Sequence, residues 1–580
     1  MESATERIRA VARELSRGVS VRGARSMNLE RAIPCLALAA IAGMAQQSSA
    51  QTPWEGLTLY QPIFSTTTYL VDNSGAVFHS WAGTYEPGNA VYLLDNADLL
   101  RTIHVQGTVG GSGGGVQRVA WDGTVLWEFL YAGPSHLQHH DVKMMPNGNV
   151  LMVAWEYKTA AEAIAAGRKP TYILGTRFAP DHIIEVQNTG PTSGTIVWEW
   201  HVWDHLIQDF DATKANYGDV AAHPELVDLN FPRDAPPQGD WIHMNTVDYN
   251  TALDQIVLSA CAQDEIWIID HSTTTAEAAG HTGGNSGRGG DLLYRWGNPL
   301  AYRAGTEADQ QLFGQHDSQW IPAGSPGAGN ILIFNNGLDR PAGQFSTIEE
   351  ITPPVDAQGN YALTPGSAYG PALPSWNYTA AIPTSFSSDH ISGTQRLPNG
   401  NTLICDGDSA LFFEVTPAGQ TVWSYVNPFP IGGIPVVFKC RRYRPCLVPE
   451  SFCSTAPNSV GSGALMNWSG SGSISSNDLV LVASGAPALK SGLFFFGSAA
   501  TQVPFHDGFR CVTTPLRRLP TLQTDSLGNA SYALDFTNPN LVSSAIGAGQ
   551  TWKFQLWYRD PSFGTSGLNL SDGLSVTFCD

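Results

Sequence analysis

A short pattern that recurs five times constrains the fold of this chain more than any other feature. Each copy is a strand-like segment in which an aromatic residue stands six positions after a glycine. The copies are GAVFHSW (75–81), GTVLWEF (123–129), GTIVWEW (194–200), GDLLYRW (290–296) and GQTVWSY (419–425). Their residues alternate with the period of two that is typical of a β-strand. The chain is therefore expected to repeat one unit built of strands.

Apolar strands that follow a turn lie between these copies. The turns read PNGN or a variant of it, in LDNADLLRT (94–102), MPNGNVLMV (145–153), YNTALDQIVLSA (249–260), IPAGSPGAGNILIF (321–334) and LPNGNTLICD (397–406). A third strand usually follows, as in EIWIID (265–270). Units of several short strands that recur every ~40–75 residues are typical of a β-propeller.

Five such units are clear, and the two ends of the repeated region predict a sixth. Strands after residue 54 and near residues 430–445 would share this unit and close the ring. The sequence thus predicts an all-β fold, a six-bladed β-propeller over residues 51–450. Abundant glycine (59) and proline (37) and a low charged fraction (14%) agree with this class. A β-sandwich is the alternative, but it does not explain five matched hairpins.

The two ends of the chain differ from the repeats. Residues 1–50 have a charged start, an apolar run and small residues before a cut between Ala50 and Gln51, as in a signal peptide, with Met27 as an alternative start. Export to the periplasm or out of the cell is therefore expected. Residues 451–580 begin with a Ser/Gly-rich stretch, and we expect a smaller, separate β-sandwich-like module whose role the sequence does not reveal.

Five of the eight cysteines crowd into the C-terminal quarter of the chain. They are Cys440, Cys446, Cys453, Cys511 and Cys579. An exported protein can form disulfides, so at least one is expected here. No CxxC pair occurs, so the spacing does not indicate a zinc site.

The charge of the chain argues against two classes of partner. The formal net charge is −20, and the leader carries more arginine than glutamate, so the mature chain is more acidic still. Such a surface repels nucleic acid and anionic lipid. The body of the chain also has no run of 18 apolar residues, so membrane insertion is not expected.

Histidines stand ahead of the turn-and-strand segments in four different units. They are His140 in HHDVKMMP, His243 in WIHMNTVDY, His316 in QHDSQWIP and His390 in DHISGTQRLP. In a propeller the first strand of each blade lines the central channel, so these side chains are expected to converge at one mouth of it. The first unit has Asn89 or Ala90 in the corresponding place.

An arginine follows the strand led by one of these histidines. Arg340 ends the segment NNGLDR (335–340) and is expected near the same end of the channel. A planar guanidinium beside several imidazoles could bind a tetrahedral oxyanion such as sulfate or phosphate. A surface turn is the alternative place for it.

Several of these motifs, in the same order, resemble those of the bacterial arylsulfotransferases. They are HHDVKMMPNGNVLMVAWE, DWIHMNTVDYN, GQHDSQWIP with ILIFNNGLDR, and SGTQRLPNGNTLICDGD, and the resemblance covers about residues 90 to 430. It implies an exported six-bladed propeller that moves a sulfuryl group from an aryl sulfate ester to a phenolic acceptor. It also implies a transient sulfohistidine and no nucleotide donor. The sequence agrees on the last point, because it has no Walker A loop to hold phosphates.

The resemblance also implies roles for individual residues. His390 matches the nucleophile, His243 and His316 match channel histidines of the catalytic site, and Arg340 matches the sulfate-binding arginine. His140 is expected to bind substrate beside them. No cofactor or metal ion is implied. Trp155 and Tyr157, after the second turn, are candidates to stack on the aryl ring.

Two other classes of function remain open. In the first, the histidines bind Zn²⁺ or a related ion in a metal-dependent hydrolase or lyase, since Asp141 and Asp317 directly follow two of them. In the second, the propeller has no catalytic activity and binds a glycan or a protein. The physiological donor, the acceptor and the oligomeric state cannot be read from the sequence.

Overall fold

The computed structural model describes residues 52–107, 109–232, 239–443, 449–474, 477–538, 546–547 and 550–578. In this part of the chain strands dominate, and the α-helices are two short ones, α1 (Ala160–Ala165) and α2 (Thr275–Ala278). The predicted all-β class is confirmed. The predicted leader, Cys446 and Cys579 lie outside the described residues.

Six four-stranded antiparallel sheets account for most of residues 57–443. Sheet 1 contains β1 (Leu57–Pro62), β2 (Thr67–Val71), β3 (Val77–Ala82) and β28 (Val437–Tyr443), and sheet 2 contains β4 (Pro87–Leu93), β5 (Leu99–His104), β6 (Gly114–Val119) and β7 (Val125–Leu130). Sheet 3 contains β8 (His136–Met144), β9 (Val150–Glu156), β12 (Asp181–Gly190) and β13 (Ser193–His201), and sheet 4 contains β16 (Met244–Asn250), β17 (Gln255–Ala260), β18 (Glu265–Asp270) and β19 (Tyr294–Trp296). Sheet 5 contains β20 (His316–Trp320), β21 (Ile331–Asn335), β22 (Thr347–Ile351) and β23 (Trp376–Tyr378), and sheet 6 contains β24 (Gly393–Arg396), β25 (Thr402–Asp406), β26 (Leu411–Val415) and β27 (Thr421–Val426).

Two small strand pairs lie in the connections around sheet 3. They are β10 (Lys158–Thr159) with β11 (Arg177–Phe178), and β14 (Leu206–Ile207) with β15 (Val227–Asp228).

The inner strands of the six sheets follow one another in a closed series. Strand β4 contacts β8, β8 contacts β16, β16 contacts β20, β20 contacts β24, β24 contacts β28, and β28 contacts β4. Sheet 1 joins the two ends of this region, because β28 pairs antiparallel with β1 and places Leu57 opposite Tyr443. The six inner strands therefore surround a common interior, and the pairing of the two ends is as predicted.

The repeated glycine–aromatic pattern lies in the edge strand of five sheets. These strands are β3, β7, β13, β19 and β27. The strands after the PNGN-type turns are second in their sheets, between the inner strand and the third one. The edge strand of sheet 5, β23, was not predicted because WNY (376–378) lacks the pattern.

Tryptophans on these edge strands join each sheet to the next. In all six sheets an indole N–H donates to a backbone carbonyl just before, or at the start of, the edge strand of the following sheet. The pairs are Trp81 to Ala120, Trp127 to Ser193, Trp200 to Gly290, Trp296 to Pro371, Trp376 to Pro417, and Trp423 to Asn73, at 2.7–3.1 Å. A buried indole N–H needs a partner, and each junction supplies one. The last bond links sheet 6 back to sheet 1.

The region after residue 449 forms its own sheets. A five-stranded sheet contains β29 (Glu450–Phe452), β32 (Ser491–Gly497), β35 (Arg517–Gln523), β37 (Thr551–Arg559) and β38 (Leu568–Thr577); a three-stranded sheet contains β30 (Leu465–Ser469), β31 (Val480–Ser484) and β36 (Ala530–Ala533); and a hairpin contains β33 (Ala500–Phe505) and β34 (Gly508–Val512). The five-stranded and three-stranded sheets share a core that includes Phe494, Phe554 and Leu481. The division into separate domains at residues 450 and 451 stays a prediction.

One disulfide joins two of the five C-terminal cysteines, Cys453 and Cys511. The expectation of at least one disulfide among them is thus confirmed. Cys440 is a buried free thiol, as is Cys405, which lies in the predicted apolar strand. In the part of the chain that the structure describes, no helix is long and apolar enough to cross a membrane.

Candidate functional site

The four histidines singled out in the sequence line one cavity of about 740 Å³. His140 lies in β8 and His316 begins β20, whereas His243 and His390 stand just before β16 and β24. They come from four sheets, and the closed series of inner strands brings them together. The cavity also touches Asn89, the residue that occupies the corresponding place in sheet 2.

Left-handed backbone conformations mark the point where these strands meet the cavity. Positive φ angles occur at Asn89 (105°), His140 (50°), His243 (55°), Asp317 (55°) and Ile391 (49°). Such angles are uncommon for residues other than glycine and cluster at functional sites. The pairing register shifts at the same points in β4, β8, β16 and β20. A bulge of this kind re-aims side chains at the end of a strand, and here the side chains point into the cavity.

His140 and His243 form a contacting pair whose pKa values are shifted in opposite directions. Their rings lie 4.5 Å apart, and His140 Nδ1 lies 2.8 Å from Nδ1 of His139. Burial, then the charges of His243 and His139, lower the pKa of His140 well below its usual value. Burial opposes the charged form of His243 too, but the carboxylate of Asp240, 2.5 Å from its Nδ1, raises the pKa of His243. His140 is therefore neutral, and His243 is the stronger base of the two.

His316 is held as a neutral imidazole with one defined tautomer. Its Nδ1 lies 2.8 Å from Asn336 Oδ1 and 3.1 Å from the carbonyl of Gly314. Asn336 Nδ2 donates to the carbonyls of Ser388 and Ile391, which fixes the amide so that Oδ1 is the acceptor. Nδ1 of His316 therefore carries the hydrogen, and Nε2 has the lone pair. Burial lowers the pKa of His316 to about 4.

His390 is the most exposed of the four, with 63% of its side chain accessible. Its Nδ1 lies 2.7 Å from Asp389 Oδ1 and 2.9 Å from Asp408 Oδ1. The hydrogen bond to Asp408, with that to Asp389, raises the pKa of His390 to about 9 against the opposing effect of partial burial. The two carboxylates thus stabilise positive charge on the ring and leave Nε2 available to the cavity.

A buried charged cluster lies next to the cavity. Lys439 Nζ lies 2.8 Å from Asp141 Oδ2 and 3.3 Å from Asp317 Oδ1, and Arg441 also pairs with Asp317. Phe438, on the same strand β28, packs against the rings of His140 and His316. This cluster was not predicted from the sequence. The sequence feature that indicates it is the run of basic residues in VFKCRRY (437–443), because such residues are unusual in a buried strand.

The structure does not bring Arg340 to the cavity. Its guanidinium packs between the rings of Phe313 and Phe345, at 5.1 and 4.6 Å, and donates to Thr347 Oγ1. Leu338, two residues earlier, lines the cavity instead. Arg340 is thus not among the residues that line the cavity, and its binding of an oxyanion stays a prediction.

Trp155 and Tyr157 lie beside the four-histidine cavity, in a second cavity of about 340 Å³. Trp155 stacks on His139 with ring centres 4.0 Å apart, and its indole N–H donates to Asp240. The guanidinium of Arg177 lies 4.0 Å from the ring centre of Tyr157. Trp155 therefore positions the Asp240 carboxylate that holds His243.

Two groups of side chains among the described residues have the composition of a metal site. One is Asp389, His390 and Asp408 at the cavity, and the other is His205, His281 and Asp291. Their ligand atoms lie within 4.8 Å of one another in each group. The first bears on the metal-dependent alternative raised by the sequence.

The geometry places four histidines, two of them with raised pKa, around one cavity. The family model of the arylsulfotransferases (ASST) matches residues 44–425, which is more than half of the chain. The chain belongs to the arylsulfotransferase family. Membership of this family supports aryl sulfate sulfotransfer at the family level, with small aryl sulfates and phenols as substrates.

The solved structures that resemble this chain do so at low similarity. A protein of unknown function from Bacteroides caccae has 11% identity and a TM-score of 0.38, over 67% of this chain and 100% of that one. The calcium-binding protein regucalcin from Agrobacterium tumefaciens has 10% identity and a TM-score of 0.29, over 65% and 98%. Apo AztD from Citrobacter koseri has 11% identity and a TM-score of 0.28, over 68% and 99%. No curated protein matches the chain significantly.

Proposed function

We propose that this arylsulfotransferase moves a sulfuryl group from an aryl sulfate ester to a phenolic acceptor, without a nucleotide donor, through a transient sulfohistidine at His390. Family membership supports the class of reaction. The observation that carries the choice of residue is the pair of carboxylates, Asp389 and Asp408, on Nδ1 of His390. They leave Nε2 as the nucleophile and stabilise the positive charge that the ring acquires.

In the first half-reaction the lone pair of His390 Nε2 attacks the sulfur atom. The N–S bond forms as the S–O bond to the aryl group breaks, and the leaving phenolate takes a proton. His243 is the acid that supplies it, because the Asp240 carboxylate raises its pKa. The product is a ring with Nε2 bonded to sulfur and Nδ1–H held by two carboxylates, so its charge is compensated.

In the second half-reaction the acceptor phenol replaces the first one. The neutral His243 takes the phenolic proton, the phenolic oxygen attacks sulfur, and the N–S bond breaks to return His390. His316 also lines the cavity with an unprotonated Nε2, but burial lowers its pKa to about 4, so His243 is the stronger base for this proton. The proton that His243 accepts gives its ring a positive charge, which balances charge on the sulfuryl oxygens. Arg340 packs against Phe313 and Phe345 and does not line the cavity.

We also propose the architecture and location that go with this reaction. The six sheets are the blades of a six-bladed propeller, residues 51–450, with a C-terminal module at residues 451–580. The sequence of residues 1–50 supports export to the periplasm or out of the cell.

A transfer assay tests the proposed reaction. Purified enzyme is mixed with 4-nitrophenyl sulfate and phenol, with no nucleotide added, and both nitrophenol and phenyl sulfate are measured. The proposal expects the two products in equal amounts. Nitrophenol with inorganic sulfate and no phenyl sulfate would indicate hydrolysis instead.

Metal-dependent hydrolysis is the second candidate, because Asp389, His390 and Asp408 could bind a metal ion. In that case treatment with a chelator should remove activity, and Zn²⁺ should restore it. Transfer by a sulfohistidine should instead continue at an unchanged rate after the chelator is removed by dialysis.

The charge state of His390 predicts how the first half-reaction depends on pH. Only the neutral ring can attack, and its pKa is raised to about 9, so the protonated form predominates at neutral pH. The burst rate of nitrophenol release should rise about tenfold per unit between about pH 6 and 8. Asp408→Asn removes one carboxylate, which should lower the pKa of His390 and move the rise in burst rate to lower pH. A flat profile, or an unshifted one in the variant, would contradict the assignment.

The role of His243 as the acid predicts a dependence on the leaving group. His243→Ala should slow transfer by about 10²–10⁴-fold when the leaving group is a basic phenolate, which needs a proton. The loss should be smaller for 4-nitrophenyl sulfate, because nitrophenolate leaves without protonation. Equal losses with both donors in single-turnover measurements would show that His243 is not the acid.

A further inference from the structure

A second group of nitrogen and oxygen ligands lies outside the four-histidine cavity. His205 is the last residue of the short 3₁₀ turn (Val202–His205) that follows β13. His281 and Asp291 lie in the connection between α2 and β19. Asp291 Oδ1 lies 2.9 Å from Nδ1 of His205 and 2.7 Å from Nδ1 of His281. Two imidazoles therefore converge on one carboxylate oxygen, from the ends of sheets 3 and 4.

The surroundings of His205 are those of a metal-bound histidine. The side chain is fully buried, and its other nitrogen, Nε2, lies 2.8 Å from the carbonyl of Ala278. Histidines that ligate metals usually donate the second N–H to a carbonyl or carboxylate in this way, which fixes the tautomer. Both nitrogens of this buried ring face oxygen atoms, Asp291 Oδ1 at Nδ1 and the carbonyl of Ala278 at Nε2. A metal ion on Nδ1 would leave the Nε2–H to donate to the carbonyl of Ala278.

The loop is built closely around this ring. Trp200 stacks parallel to His205 with centres 5.7 Å apart, and its indole N–H donates to Gly290. A Cβ atom at Gly290 would lie 2.7 Å from His205 Nε2 and 2.0 Å from the carbonyl oxygen of Ala278. Only glycine allows the chain to pass there. The orientation of His205 is therefore fixed from three sides before any ion binds.

We propose that His205 Nδ1, His281 Nδ1 and Asp291 Oδ1 bind one divalent transition-metal ion, Zn²⁺ being the best match. Two imidazoles and one carboxylate are ligands that Zn²⁺ prefers, whereas Ca²⁺ and Mg²⁺ prefer oxygen ligands alone. The His281 side chain is 60% exposed, so water can complete a tetrahedron. None of the three lines the four-histidine cavity. The ion would hold the loop of sheet 4 to the end of sheet 3, apart from the transfer reaction.

Metal analysis of four proteins tests this site. The wild type, His281→Ala, His223→Ala and His390→Ala are stripped with a chelator, dialysed against Zn²⁺ and measured for bound metal and thermal midpoint. His223 is the matched control, since it is also exposed and pairs with a carboxylate, that of Glu225. Co²⁺ in place of Zn²⁺ reports the geometry through its visible spectrum.

The proposal expects about one Zn²⁺ per chain in the wild type, in His223→Ala and in His390→Ala. His281→Ala should bind Zn²⁺ at least about 100-fold more weakly and lose the metal-dependent rise in thermal midpoint, with sulfuryl transfer unchanged. Co²⁺ should give the intense bands of a tetrahedral site. Absence of bound metal in the wild type, or equal binding by His281→Ala, would overturn the proposal. If His390→Ala alone lost the ion, the metal site would lie at the four-histidine cavity, and this result would also overturn the proposal.

Discussion

Replacement of His390 by alanine is expected to abolish sulfuryl transfer. The imidazole is the proposed nucleophile, so without it neither half-reaction has a covalent route. Loss of a nucleophile that works with a general acid costs roughly 10⁴–10⁶-fold in turnover. The residue is 63% exposed, and its loss leaves no cavity in the core, so the variant should fold as the wild type does. Initial rates of transfer from 4-nitrophenyl sulfate to phenol measure the effect.

Two companion variants separate chemistry from structure. His223→Ala removes another exposed histidine with a carboxylate partner and should keep the wild-type rate. Asp408→Asn keeps the nucleophile but removes part of its charge compensation, so it should retain turnover that His390→Ala lacks. An active His390→Ala, within about tenfold of the wild type, would remove His390 from the mechanism.

Asp317→Ala is expected to give the largest loss of stability. Asp317 is 1% exposed and pairs with both Lys439 and Arg441. It also accepts a backbone N–H from Thr394 at 2.7 Å, which links sheets 5 and 6. Removal of one partner from a buried ion pair leaves an uncompensated charge and costs about 3–5 kcal/mol. Urea unfolding followed by tryptophan fluorescence should show the midpoint at clearly lower urea.

The control for this variant removes a carboxylate from the surface. Glu307 is exposed, and Glu307→Ala should change the free energy of unfolding by at most about 0.5 kcal/mol. The double variant Asp317→Ala with Arg441→Met should recover part of the loss, since one unpaired cation is removed. If Asp317→Ala unfolds at the same urea midpoint as Glu307→Ala, the buried charged cluster of Asp317, Lys439 and Arg441 does not stabilise the closed series of sheets.

The sequence predicted the strands of the glycine–aromatic pattern well because one physical requirement recurs in them. A tryptophan in GTIVWEW or GDLLYRW must bury its ring and still donate its N–H, and the next sheet provides the carbonyl. The pattern is therefore visible in each copy alone. Strand β23 was missed because its Trp376 makes the same bond to Pro417 from a segment without the glycine. The hydrogen bond from the indole N–H is therefore the feature that all six edge strands share, whereas the glycine–aromatic spacing occurs in only five of them.

The site was predictable only in part. Each of the four histidines stands ahead of a turn-and-strand segment, so the repeat places them around one cavity. Their partners share no such position: Asn336 reaches His316 from the next strand, and Asp408 reaches His390 from the far side of a hairpin. Charge states depend on these partners and so could not be predicted. Arg340 was placed from its neighbours along the chain, but the rings of Phe313 and Phe345 hold its guanidinium elsewhere.

Mass spectrometry of the trapped enzyme tests the central proposal most directly. The enzyme is mixed with an aryl sulfate and no acceptor, quenched in base, where a sulfuryl–nitrogen bond is expected to survive, and digested. A sulfuryl adduct of about 80 daltons should appear on the peptide that contains His390, and His390→Ala should lack it. An adduct on the peptide of His316 or His140 would move the nucleophile to that residue. Release of one equivalent of phenol with no adduct on any peptide would contradict a sulfohistidine.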